Sequence, residues 1–205
     1  DIKTRKKMVL FIEFSPSQYP DLIHSLVENG NDLLFINRRR PAISNFGSIK
    51  LLQKNRCKIA SPSQFLSYKE KKQAEKLSLN FSQKLEKIWH AETQFLSSLF
   101  SIENITFWPS INETLLQLYK SRMLEHTLLV KFSKKLFEKI DFKSIISLNT
   151  MGETEKAIIN TNKNKIPTVL LEHGASDYLP EVSRYDVTSG YRNFDDKIAI
   201  WNEYQ

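Results

Sequence analysis

The chain is poor in the residues that staple or punctuate small folds. Among its 205 residues there is a single cysteine, Cys57, with 5 glycines and 7 prolines. One cysteine excludes an internal disulfide framework and a structural zinc site built on clustered thiolates, and it makes a reducing compartment the default. So little glycine and proline excludes collagen-like architecture, and 40% hydrophobic residues supply enough apolar surface to offset the ordering entropy that keeps polar chains disordered. No apolar run approaches the roughly 18 residues of a bilayer-spanning helix. Residues 1–7 carry charges of both signs and lead into an apolar run over 8–12 that is too short for the core of an export signal. Positive charge is in surplus: 30 Lys and Arg against 23 Asp and Glu give a net charge of +7. That surplus favours anionic partners such as phosphates, nucleic acid or a lipid surface without selecting one.

Residues 8–14 (MVLFIEF) form a short apolar run, and 16–29 place Leu22, Ile23, Leu26 and Val27 at helical spacing before Gly30. Residues 32–37 (DLLFIN) read as a second buried strand, so the opening is a βαβ unit with a crossover helix. A helix over 43–55, a weak third strand over 57–60 and a helical start at 61–65 follow. From 68 to 100 there is neither Gly nor Pro, and Leu77, Phe81, Leu85, Ile88, Phe95 and Leu99 keep mostly three- or four-residue spacing. This predicts one or two long amphipathic helices, and 112–140 repeats the character after a break at Phe107-Trp108-Pro109. These helices are expected as an insertion or lateral face rather than a separate domain.

The last third returns to alternation, with strands over 144–148, 166–171 and 197–201, a helix over 153–163 and a loop over 172–194. Strands apolar on both faces, alternating with helices, predict a doubly wound, Rossmann-like α/β domain. Its sheet is mainly parallel in the order 3-2-1-4-5-6, with functional loops at the carboxyl ends of the strands and long helices inserted in the middle third. Residues 1–205 read as one domain. Its end directly after the last strand predicts the N-terminal half of a longer two-domain protein.

The strongest chemical signal is Leu170-Leu171-Glu172-His173-Gly174. A histidine directly after a buried strand can take a proton near neutrality, and Gly174 lets substrate or backbone approach closely. Capping of the strand by a hydrogen bond to a carbonyl is the simpler role for the same residue. Asn149-Thr150-Met151-Gly152-Glu153-Thr154-Glu155 ends another strand and opens a helix, where backbone amides and the hydroxyls of Thr150 or Thr154 can cradle an anion. Glu153 could face the cleft, whereas Glu155 suits stabilisation of the helix start through its dipole.

Ser15, Ser17 and Gln18 follow the first strand, but without the G-x-G-x-x-G fingerprint of dinucleotide binders, which disfavours a Rossmann dehydrogenase. Arg38, Arg39 and Arg40 end the second strand with three guanidinium groups able to grip phosphate or carboxylate through paired donors, or to form a solvated turn. The lysine-rich stretches 69–76 and 131–139 include glutamates and read as ordinary charged helix faces. No RNA-recognition or zinc-finger spacing supports nucleic acid as a partner. His24, His90 and His126 lack neighbours at metal-ligand spacing, and Cys57 reads as a small buried hydrophobe.

Taken together, SLNTMGETEKAI, NKIPTVLLEHGASDY, YDVTSG and DDKIAIW, within 147–201, resemble the N-terminal half of GT-B glycosyltransferases that build surface polysaccharides. The related polyol-phosphate transferases of teichoic acid synthesis likewise carry a His-Gly after a strand in this domain, implicated as the catalytic base. The opening MVLFIEFSPSQYPDLIHSLVENGNDLLFINRRRP is similar to the first βαβ of such domains. The resemblance implies His173 as base; Glu153, from its place at the helix start, is the second catalytic candidate. Ser15, Ser17, Gln18, Thr154 and Gly174 would line the cleft, and Arg38, Arg39 and Arg40 would hold an anionic acceptor or diphosphate.

It also implies a nucleotide-sugar donor bound mostly by a C-terminal domain that this chain lacks, and a glycan or lipid-linked acceptor. Neither metal nor cofactor is implied. The implied location is cytoplasmic, extending to peripheral contact with the inner face of the cell membrane. Two departures stand out: Asn202 rather than Gly follows Trp201, and without the second domain the fragment is expected to bind acceptor rather than turn over. The competing expectation is a non-catalytic binding domain for anionic glycans or a partner protein.

Overall fold

The computed structural model of the chain describes residues 7–36, 38, 39, 42–149, 152–163, 165–171 and 197–199. The chain divides into two compact units, Asp1–Phe65 with Phe132–Gln205, and Leu66–Lys131, so the second is an insertion in the sequence of the first. The first unit opens with β1 (Met8–Ile12), a 3₁₀ turn (Pro16–Gln18), α1 (Pro20–Glu28), β2 (Asp32–Ile36), α2 (Phe46–Lys54), β3 (Lys58–Ala60) and α3 (Pro62–Phe65). The second holds α4 (Tyr68–Ala91), α5 (Thr93–Leu99), β4 (Ser101–Ile102), β5 (Ile105–Thr106) and most of α6 (Trp108–Lys139). The first then resumes with β6 (Phe142–Ser147), α7 (Glu153–Thr161), β7 (Thr168–Leu171) and β8 (Lys197–Ala199).

Six strands form one sheet in the order β3-β2-β1-β6-β7-β8, and every neighbouring pair is parallel. Counting only the strands of this sheet, the order is the 3-2-1-4-5-6 expected. All of β1 is buried, because both faces of a central parallel strand are covered. Val9 and Phe11 join Leu33, Phe35, Ile23 of α1 and Leu52 of α2 in one core cluster. Leu10, Ile12, Leu34 and Ile36, on the opposite face by strand alternation, are equally buried. Phe11 and Phe35 are register partners, their rings stacked at 4.6 Å, with Phe14 edge-on to Phe11 at 4.7 Å.

Several element boundaries moved, for local reasons. The helix expected over 16–29 is a 3₁₀ turn followed by α1, because Pro20 disfavours helix at Tyr19. The helix expected from 43 starts at Phe46, where Asn45 and Ser48 form a reciprocal capping box. The break at Pro109 is instead the start of α6, since a proline in the first turn removes only an amide that has no helical partner. The β4–β5 hairpin went unforeseen: its turn places Glu103 (φ 49°) and Asn104 (φ 68°) in the left-handed region without the usual glycine.

α1 ends in a Schellman motif: the Asn31 amide donates to the Leu26 carbonyl at 3.1 Å and the Gly30 amide to Val27 at 2.9 Å, with Gly30 at φ 77°. α2 ends the same way, with Cys57 donating to Leu52 at 2.9 Å, but the left-handed position holds Arg56, at φ 51°. An L side chain there costs about 1 kcal/mol, and the Arg56 side chain is exposed. Arg56→Gly is therefore expected to stabilise the protein by about 0.5–1 kcal/mol in urea titration, and a loss of stability would show that the guanidinium has a structural task.

Cys57 is partly buried against the core cluster, and burial pushes its thiol up to about 11. At pH 8 its thiolate is roughly a hundredfold scarcer than in an unfolded chain, so reaction with a disulfide reagent should be slower by about that factor until denaturant is added. Equal rates in native and denatured protein would contradict the burial.

The Leu66–Lys131 unit packs around Trp89, Trp108 and Leu116, with Phe100 stacked on Trp108 at 5.4 Å. Lys120 of α6 meets Glu86 of α4 at 3.1 Å. Among the described residues no helix is long and apolar enough to cross a membrane.

Candidate functional site

In a doubly wound sheet the strand order reverses at one point, and the crevice beyond the carboxyl ends of the strands there is where such sheets hold ligands. Here the reversal lies between β1 and β6. The segments leaving β1 and β2 and the start of α7 bring together a polar cluster at that edge.

Glu13 follows β1 directly, is 4% exposed, and sits at φ 50°, a strained position for a residue with a side chain. The Arg39 amide donates to its Oε1 at 3.4 Å, which joins the end of β1 to the segment leaving β2. The Arg38 guanidinium donates from Nη1 to Thr154 Oγ1 at 2.8 Å, and the Arg39 guanidinium forms an ion pair with Glu153. Two successive arginines thus reach the first turn of α7 from the other side of the switch point.

Gly152 caps α7 without a side chain, and the reason is spatial. A Cβ built on Gly152 would lie 2.6 Å from Cδ of Glu155, whose carboxylate folds back over the helix start. Glu155 is 5% exposed, so it serves the helix start, as its position in the sequence suggested. Thr154 is 1% exposed, its hydroxyl taken by Arg38.

Ser15 and Ser17 share a hydrogen bond of 3.2 Å in the 3₁₀ turn after β1, and Gln18, exposed, ends that turn. Arg40, His173 and Gly174 lie outside the described residues. The described part of the cluster holds two guanidinium groups and the carboxylates of Glu13, Glu153 and Glu155; the Arg39 guanidinium is paired with Glu153, and that of Arg38 bonds the Thr154 hydroxyl. The Arg39–Glu153 pair is open to solvent, with side-chain exposures of 43% and 31%. An exposed pair of this kind is worth about 0–1 kcal/mol, so an arriving anion can take the place of Glu153 at little cost.

Glu13 is the residue that the sequence reading missed. Its signal was a carboxylate directly after five buried apolar residues, at the end of a strand where ligands are held. His24 is structural: its Nδ1 bonds Asn55 Oδ1 at 2.8 Å, and Lys54 Nζ lies 3.3 Å from its Nε2. Among the described residues no group of three or more His, Cys, Asp or Glu is placed to hold a metal ion.

Fold and cluster define an α/β protein of the doubly wound class with charged groups converging at its switch point. Comparison with protein-family models, curated proteins and solved structures finds no match to this chain.

Proposed function

We propose that the chain is the acceptor-binding N-terminal half of a GT-B glycosyltransferase that builds a cell-surface polysaccharide or glycoconjugate. The observation that supports this is the convergence of Arg38 and Arg39 on Glu153 and Thr154 at the switch point of the sheet. β7 ends at Leu171, two residues before His173 in the chain, and runs parallel to β6, so it ends at the same edge of the sheet. In this reading His173 takes the proton of the acceptor hydroxyl as its oxygen attacks the anomeric carbon of the nucleotide-activated sugar. A new glycosidic C–O bond forms, the bond from that carbon to the diphosphate breaks, and the proton rests on the imidazole. Arg38 and Arg39 hold the anionic acceptor or diphosphate, and Glu153 positions Arg39 until the anion arrives. The donor site belongs mainly to a second domain, and the enzyme works in the cytoplasm at the inner face of the membrane.

The acceptor role is tested on the 205-residue chain by calorimetric titration with acidic oligosaccharides and with a soluble prenyl diphosphate. Binding is expected to weaken about 10- to 100-fold in the Arg38→Ala/Arg39→Ala double variant, the loss of charge-assisted hydrogen bonds to an anion. Binding unchanged in that variant, or no binding by wild type, would remove the arginines as the anion site. A non-catalytic domain for anionic glycans uses the same arginines, so the two readings part at His173.

A further inference from the structure

We infer that Glu13 is a positioning residue, which holds the main chain leaving β2 so that Arg38 and Arg39 reach α7 as a fixed pair; the inference rests on the reading of those arginines as an anion site. If the alternation of β1 continued, residue 14 would share a face with Leu10 and Ile12, and residue 13 with Val9 and Phe11. It does not continue. Phe14 is fully buried in the cluster that holds Val9, Phe11 and Phe35, with its ring edge-on to Phe11. The left-handed backbone at Glu13 breaks the alternation: it returns Phe14 to the face of Phe11 and leaves the Glu13 carboxylate at the carboxyl edge of the sheet, where it meets the Arg39 amide.

A glycine would make the same turn without strain and would place Phe14 equally well. The chain carries a buried glutamate there instead, and so bears both the backbone strain and the loss of water around a carboxylate. Packing of Phe14 does not account for that choice, whereas an acceptor for the Arg39 amide does, through a long hydrogen bond of 3.4 Å. The segment is held at three points: Glu13 takes the main chain of Arg39, Thr154 the guanidinium of Arg38, and Glu153 the guanidinium of Arg39. An anion that displaces Glu153 releases the third and leaves the first in place, because Glu13 bonds an amide and not a guanidinium. The arginines then stay where the anion meets them, and less ordering entropy is lost on binding.

Two measurements on the 205-residue chain test this. Trypsin cuts after Arg38 and Arg39 when that segment opens, so cleavage there, followed by mass spectrometry, should be about tenfold faster in Glu13→Gly and unchanged in Glu13→Gln. Calorimetric titration with inorganic pyrophosphate should show binding about tenfold weaker in Glu13→Gly and at least as tight as wild type in Glu13→Gln, which keeps the acceptor and removes a negative charge. In the Arg38→Ala/Arg39→Ala background Glu13→Gly should weaken binding no further, the mark of a residue that acts through those two. The urea midpoint of Glu13→Gly should not fall, because glycine relieves the backbone. If that variant fails to fold, Glu13→Asp, one methylene too short to reach the Arg39 amide, takes its place against Glu13→Gln. Cleavage and binding unchanged in Glu13→Gly overturn the inference, as does Glu13→Gln impaired as much as Glu13→Gly, or a loss of binding that only follows a loss of stability. A wild-type chain that binds no anion ends the reading of the arginines as an anion site, and the tryptic rates then decide by themselves whether Glu13 holds the segment.

Discussion

Phe11→Ala is expected to destabilise the sheet unit by about 3–5 kcal/mol, a large share of the 5–15 kcal/mol that holds a typical domain together. Phe11 is fully buried in the central strand, stacked on its register partner Phe35 and edge-on to Phe14. Truncation removes the transfer energy of the ring and leaves a cavity that the hydrogen-bonded neighbours β2 and β6 cannot close by moving inward. Urea unfolding followed by far-UV circular dichroism measures the loss. For a chain of this length, thermal unfolding should fall by about 10 °C or more. Tryptophan fluorescence is the poorer probe, because two of the three tryptophans, Trp89 and Trp108, belong to the Leu66–Lys131 unit. A loss below about 1 kcal/mol would mean that the ring contributes no more than a surface residue.

His173→Ala is expected to lower turnover of a nucleotide sugar by about 10²- to 10⁴-fold in protein that includes the donor-binding domain, the range for loss of a general base. The loss should fall on kcat rather than KM, because a base acts as the hydroxyl proton leaves and contributes little to ground-state binding. The acid limb of the pH–rate profile, on which an imidazole must shed its proton before it can act, should vanish with it. Affinity of the 205-residue chain for the acidic acceptor probes should change by no more than about twofold, since the arginines remain. Near-normal turnover would remove His173 as the base. No turnover with any donor, while acceptor binding persists, would move the function to a non-catalytic glycan-binding domain.

Much of the sheet was legible in the sequence because a parallel strand buried on both faces leaves a run of apolar residues that no surface segment imitates. MVLFI and DLLFI show this, and right-handed crossovers then left few orders to consider. The boundaries depended on finer chemistry. Asn45 and Ser48 delay α2 by caps, and Pro109 starts a helix rather than ending one. The hairpin stayed hidden because its turn puts Glu103 in left-handed geometry that a glutamate does not advertise, and because the strands on either side are only two residues long.

In the candidate site, the types of residue could be read but their partners could not. Arg38 and Thr154 are 116 positions apart, and Glu13 meets the Arg39 amide only because β1 and β2 end side by side. The absence of a Cβ at Gly152 makes room for the carboxylate of Glu155, a fact of packing that no local pattern contains.

The neighbours of β1 impose an order on synthesis. Its partner β2 is complete by Ile36, while its other partner, β6, ends at Ser147, about 110 residues later. At 5–20 residues per second the ribosome needs roughly 5–25 s to cover that distance. During that interval one edge of the most apolar strand in the protein has no strand to bond with, and what emerges meanwhile is largely the helical Leu66–Lys131 unit. The nascent chain therefore carries a sticky strand edge for longer than many small domains take to fold, and its yield in the cell depends on what shields that edge as much as on the stability of the finished sheet.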